Sequence, residues 1–174
     1  MTGSAVISPC GTYRLELARD VELDPLMVGL LGPGCTTLLI GVNPSTADAV
    51  QNDATIRKDI GFAQRLGWAR ILKGNKFAYR ATDVRELAMA ADPVGPGNDV
   101  HLERMMREAA IVVACWGPLS KLPARLRGRW REVVAIAERV GKPLHCFGTA
   151  KDGQPLHTLM LPYSTPLVRW SPPL

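Results

Sequence analysis

The sequence predicts a three-layer α/β domain built on a mostly parallel central sheet. Three observations carry this. Short apolar runs at residues 36–42, 71–77, 111–116 and 144–147 have the length and branched character of buried strands. Helical patterns separate them, which is the signature of parallel strands joined by crossovers. The runs end abruptly in polar or Gly/Pro-rich segments, as strands do when they deliver side chains to the carboxyl edge of a sheet. A chain of 174 residues fits one such domain with a sizeable core. No repeat or internal boundary divides it.

Taken in order, residues 13–19 alternate apolar and polar side chains and suit a half-buried edge strand. Residues 23–33 read as a loop or short helical turn leading to Gly34. Residues 36–42 are the first central strand. A polar loop, 47–53, follows it, and Asn52 or Asp53 caps a helix that runs to Leu66. Ile56, Ile60, Ala63 and Leu66 share one face of that helix, and Gly67 ends it. The second central strand, 71–77, is interrupted by Gly74 and Asn75 and leads into a polar loop, 78–83. A short helix is expected over 83–90, a Pro/Gly loop over 92–98, and a helix over 99–109 with Val100, Leu102, Met105, Met106 and Ala109 inward. Gly117 and Pro118 end the strand at 111–116. A helix over 129–140 turns Trp130, Val133, Val134 and Ala137 to one side, and 144–147 is the last central strand. The tail from Lys151 carries five prolines and is expected to run along the surface.

Composition narrows the function classes. Hydrophobic residues make up 47% and charged residues 21%, which is ordinary for a globular protein. No apolar run approaches the roughly 18 residues of a membrane span. The first residues lack a basic segment and a long apolar stretch, so a cytoplasmic protein is expected. The net charge of +5 is compatible with phosphate-bearing partners. Cys10, Cys35, Cys115 and Cys146 form no C-x-x-C pair, and no metal, iron–sulfur cluster or other cofactor is expected.

The most informative window is 38–48, where an apolar run gives way to Gly41, Asn43, Pro44, Ser45, Thr46 and Asp48. Pro44 keeps Asn43 extended, so its amide is held rigidly toward a cleft. The alternative reading is a strand followed by a helix cap, with Ser45 or Asp48 as the N-cap. Three further polar stations follow the other strands: 75–83, 116–117 and 151–157. Right-handed crossovers bring strand carboxyl ends to one edge, so the four stations should converge on one site.

Two resemblances rest on these stations. Gly41-Val42-Asn43-Pro44-Ser45 resembles the first motif of the uracil-DNA glycosylase superfamily, mismatch-specific type, whose Asn positions the attacking water. The segment around Asn75 is similar to that superfamily's base-reading segment, and residues 112–117 to its Trp-Gly strand. His157 falls where its His-Pro-Ser motif would be, although Thr158 follows here. More closely, Asn-Pro-Ser-Thr-Ala-Asp at 43–48, Asn-Asp-x-Thr-Ile-Arg at 52–57, Asn-x-Phe-Ala-Tyr-Arg-Ala-Thr-Asp at 75–83 and Lys-Asp-Gly-x-Pro-x-His at 151–157 resemble the hallmarks of domain-of-unknown-function family 1643.

The glycosylase resemblance implies a uracil-DNA-glycosylase-like fold and an enzyme that acts on a uracil-like or modified base, most simply by hydrolysing its N-glycosidic bond in DNA. Rival readings are an enzyme that acts on a modified base or free nucleotide without that cleavage, and a non-catalytic module that binds DNA or a nucleotide. Catalytic candidates are Asn43 as water holder, Asp48 or Asp53 as general base, and His157 as donor to the leaving base. Asp53 also reads as a helix cap. Base or substrate binding falls to Ser45, Thr46, Asn75, Phe77, Tyr79, Arg80 and Trp116, the aromatics as stacking faces. Arg57 in a first helical turn opposes the helix dipole, which suits an anion contact. Lys121, Arg125, Arg127, Arg129 and Arg131 suggest an extended basic arm that meets phosphates. The competing reading is a solvated linker.

Overall fold

The structure, a computed structural model, describes residues 2–173, the side chains of Met27, Leu30 and Leu31 excepted. Its strands are β1 (Gly3–Ile7), β2 (Arg14–Asp20), β3 (Cys35–Gly41), β4 (Trp68–Asn75), β5 (Ile111–Ala114), β6 (Leu144–Cys146) and β7 (Val168–Arg169). The helices are α1 (Pro25–Leu31), α2 (Ala54–Leu66), α3 (Val84–Met89), α4 (Asn98–Glu108) and α5 (Trp130–Arg139). The seven strands form one sheet in the order β1-β2-β4-β3-β5-β6-β7. The central four are parallel, and β1, β2 and β7 add antiparallel flanks.

Alternation along the central strands explains why both sheet faces are covered. Leu38 and Ile40 of β3 and Val112 and Ala114 of β5 pack with Leu102, Met105, Val133 and Ala137 of α4 and α5. Leu39, Val113 and Cys115 turn the other way and pack with Ile56, Ile60, Phe62 and Ala63 on the α2 side. Phe62 stacks on Phe147, with ring centroids 4.3 Å apart. The helix stops follow from local chemistry. Asp53 caps α2 by accepting from the Ile56 N–H at 2.8 Å. Gly67 ends α2 with a left-handed φ of 71°.

Several expectations are corrected. Residues 13–19 are not an edge strand, because β1 pairs outside β2. The short, mostly exposed β1 has no apolar alternation to announce it. Glu16 and Arg19 of β2 are buried because they find partners. His101 and Arg104 of α4 hold the Glu16 carboxylate. Arg19 donates to Asn52 Oδ1 at 2.8 Å and to the Asp48 and Gln51 carbonyls. Val100 is exposed on α4. The tail from Lys151 does not merely run along the surface. Gln154, Pro155, Thr158 and Trp170 are buried, and β7 extends the sheet beyond β6. Its backbone is held to the β5 and β6 ends by Gly117 N–H to Pro155 O and Leu156 N–H to Gly148 O, both 2.9 Å. No helix among the described residues is long and apolar enough to cross a membrane.

Candidate functional site

Strand order reverses at β3: the chain crosses from β3 to β4 on one side and later returns to β5 on the other. Such a reversal leaves a crevice outside the strand carboxyl ends. Here it holds a cleft of about 610 Å³. All four polar stations contribute to it: Asn43 and Ser45 after β3, Asn75, Thr82 and Asp83 after β4, Trp116 and Gly117 after β5, and His157 from the tail.

The turn carrying Asn43 is pinned to the segment that follows β4. Gly41 and Val42 carbonyls accept from Lys76 and Phe77, and Ala81 N–H donates to Pro44 O. The Asn43 amide nitrogen donates to Pro44 O at 3.1 Å and Ala81 O at 2.7 Å. Both neighbours are carbonyls, so the nitrogen must face them. The carbonyl oxygen Oδ1 is left without a partner among the described residues, in a residue that lines the cleft. Asn75 is 2% exposed, and among the described residues neither atom of its amide makes a hydrogen bond, so the group offers both donor and acceptor. Asn98 holds the turn behind it through the Asn75 and Lys76 carbonyls. Gly41 leaves room for these neighbours: a Cβ there would lie 3.0 Å from Asn75 Oδ1, which would have to give by a few tenths of an ångström, and 3.4 Å from Lys73 Cε.

His157 caps the turn Thr158–Met160 by accepting from the Leu159 N–H at its Nδ1. A neutral ring in that position carries its proton on Nε2, as a donor. Burial, and after it the charge of Lys73, lowers the His157 pKa from the usual 6.5 to about 4. The imidazole is therefore neutral at pH 7. Because its folded-state pKa is below the unfolded one, His157 contributes stability that is complete above pH 6.5 and lost as pH falls to about 4. The amount is about 3 kcal/mol. Denaturant midpoints measured between those pH values should decline more steeply for the native chain than for His157→Gln. Parallel declines would show that His157 does not titrate this way.

Lys73 and Asp59 form a buried ion pair that sequence reasoning missed. Lys73 lines the cleft, and its Nζ donates to Asp59 Oδ2 at 2.8 Å. Asp59 Oδ1 accepts from Thr158 Oγ1 at 2.7 Å, which docks the His157 segment onto α2. Burial alone would lower the Lys73 amine, but Asp59 and Cys115 together outweigh it and raise its pKa. Burial pushes the Cys115 thiol up to about 11, so it stays protonated. The available signal was charge out of place: Asp59 lies on the apolar stripe of α2, and Lys73 inside a buried strand.

The remaining candidates divide. Asp53 lines the cleft as well as capping α2. Trp116 lines it too, with its indole N–H on Gln154 Oε1 at 2.8 Å and the buried Lys76 amine 5.2 Å from its ring. Thr46, Tyr79 and Arg80 line a neighbouring pocket of about 450 Å³ that shares Ser45 and Thr82 with the first. Asp48 closes its own turn by accepting from Val50 and Gln51. Phe77 is buried with Leu87 and Leu126. Arg57 reaches back to Asn52 O.

Residues 121–131 are not an extended arm. They lie in 3₁₀ turns and the start of α5, and several guanidinium groups bond within the fold. Arg125 donates to carbonyls at the end of α3, Arg127 to Leu122 O, and Arg129 to Lys76 O and the Asp99 carboxylate. Arg131 lies over the Trp130 ring. Only Lys121 of this group lines the cleft. The spacing of two suggested extension because the 3₁₀ turns after Pro118 and Pro123 have no apolar period to reveal them.

Among the described residues, no three His, Cys, Asp or Glu side chains are grouped to hold a metal ion. No curated protein and no solved structure matches the chain. The model of the family described as "Protein of unknown function (DUF1643)" matches residues 32–159, a span containing every lining residue of the cleft named above, and the chain belongs to that family.

Proposed function

We propose that the protein hydrolyses the N-glycosidic bond of a uracil-like or modified nucleobase carried on DNA or on a nucleotide, within a uracil-DNA-glycosylase-like fold. One observation carries this reading. A pinned acceptor, Asn43 Oδ1, shares a cleft with two donors, the unpartnered Asn75 amide and the Nε2–H of neutral His157. Bond cleavage leaves positive charge on the sugar and negative charge on the base. Asn43 orients a water toward the sugar carbon. Asp53, whose second carboxylate oxygen has no hydrogen bond among the described residues, takes the water's proton as it attacks. Asn75 and His157 donate to carbonyl oxygens of the leaving base, with the Lys73 charge behind them. Trp116 supplies an aromatic wall.

The internal bonding of Arg125, Arg127 and Arg129 favours a free nucleotide, or a single extruded one, over a long duplex footprint. The test presents purified protein with oligonucleotides carrying uracil, hydroxymethyluracil, hypoxanthine and mismatches, and with the matching free nucleotides. Released base is read by chromatography, and abasic sites by strand breakage in alkali. Base release from at least one substrate is expected. Retardation of DNA without release would make the protein a binding module instead.

A further inference from the structure

Arg14 opens β2 with a side chain 2% exposed. Its Nη1 donates to Ala47 O at 2.7 Å, yet its Nε is buried without any partner among the described residues. Among the described residues no carboxylate lies within ion-pair distance of it, and Asp53 and Asp48 act on it only through the longer-range field. A buried guanidinium satisfied by one carbonyl is costly, since desolvation exceeds what a single hydrogen bond returns. The residue nevertheless lines the cleft. The start of α2 lines the same cleft through Asp53, Thr55 and Ile56. Asp53 satisfies the Ile56 N–H there, while the N–H groups of Ala54 and Thr55 have no acceptor within the helix. Ser45 also lines the cleft, and among the described residues neither its side chain nor that of Thr55 makes a hydrogen bond.

We infer that this end of the cleft is a subsite for a phosphate oxyanion, bound by Arg14, the Ser45 and Thr55 hydroxyls and the first turn of α2. A fork of guanidinium donors matches two phosphate oxygens, and the hydroxyls and helix N–H groups serve the others. A carboxylate has too few oxygens for this donor set. Asp53 lines the same cleft, and its charge opposes an anion there, so the donors must outweigh that repulsion. As a statement about substrate, that the scissile nucleoside carries a phosphate, the inference rests on the hydrolase reading. As a statement about binding it does not.

Calorimetric titration tests it with inorganic phosphate, deoxyuridine, deoxyuridine 5′-monophosphate and a deoxyuridine dinucleotide. Inorganic phosphate should bind, and the phosphorylated compounds should bind about 10- to 100-fold tighter than the nucleoside, the worth of one or two charge-assisted bonds. A gain with the monoester alone identifies a free nucleotide, and an equal gain with the diester identifies a DNA backbone phosphate. Both support the subsite. Arg14→Gln should abolish the gain and Arg14→Lys keep part of it. Since Arg14 also holds Ala47, the double variant Ser45→Ala with Thr55→Val gives a second measure and should reduce phosphate affinity several-fold. Equal affinity for nucleoside and nucleotide, no binding of inorganic phosphate, or an undiminished gain in folded Arg14→Gln would overturn the inference. Phosphate binding without base release would remove the hydrolase reading and leave the subsite standing.

Discussion

Asn43→Ala is expected to lower base release by about 10²–10⁴-fold, the range for losing a group that positions the attacking water. The less obvious result concerns Asn43→Asp. A carboxylate is the better water activator in isolation, and on that ground alone it should preserve or raise the rate. The local bonding reverses this. The Asn43 amide nitrogen donates to Pro44 O and Ala81 O. An aspartate would set an oxygen against two carbonyl oxygens at those distances. Asn43→Asp should therefore lose about 1–3 kcal/mol of stability at neutral pH. It should release base no better than Asn43→Ala there. Acidification protonates the new carboxyl and restores one donor, so part of the lost stability should return below its pKa. Thermal melts and base-release rates on the two variants, at neutral and acidic pH, decide the matter. An Asn43→Asp variant as stable and as active as the native chain at neutral pH would show that the amide nitrogen is not what holds this turn.

Asp59→Asn should be the most destabilising single substitution near the site, by about 3–5 kcal/mol, because it strands the Lys73 ammonium in a buried position. The pair's contribution has a defined pH window. Lys73 has its folded-state pKa raised, so the stabilisation is complete below the ordinary lysine pKa and is lost only as pH rises through the folded value. The penalty for Asp59→Asn should thus be constant across the neutral range. Replacing both partners, Asp59→Leu with Lys73→Met, should recover much of the stability, since apolar side chains of similar size remove both desolvation costs. The double variant also removes the Lys73 charge that holds His157 below its usual pKa, together with the smaller, opposing charge of Asp59. The His157 pKa, followed by NMR of its ring protons, should move upward in it. Urea denaturation showing a loss under 1 kcal/mol for Asp59→Asn would mean the pair is not the clamp that docks the His157 segment.

Much of the architecture was legible in the chain. The four central strands have apolar runs with branched residues, and both faces of the sheet need covering, which leaves few ways to arrange the helices between them. Asp53 and Gly67 mark the ends of α2 by chemistry that acts over three or four residues. The convergence of Asn43, Asn75, Trp116 and His157 followed from topology, because parallel strands with right-handed crossovers share a carboxyl edge. What was missed depended on partners distant in sequence. Glu16 and Arg19 look like solvent-facing residues of an edge strand until His101, Arg104 and the 48–52 loop are seen to cover them. Arg125 and Arg129 look like a phosphate-binding arm until the α3 carbonyls and Asp99 are seen to occupy them.

By itself, then, the sequence determined the α/β class, the four central strands and the helices between them, the family and the edge of the sheet at which the polar stations meet, because periodicity, capping and crossover handedness are local or topological. Only the tertiary structure decided which amide atom of Asn43 stays free, that the Asn75 amide is buried unpartnered, which ring nitrogen of His157 donates, that Lys73 is paired by Asp59 and that Arg14 is buried beside the cleft without a counter-charge among the described residues. Those properties depend on desolvation and on the exact direction of a few hydrogen bonds between segments far apart in the chain, and no pattern of residues along one strand encodes them.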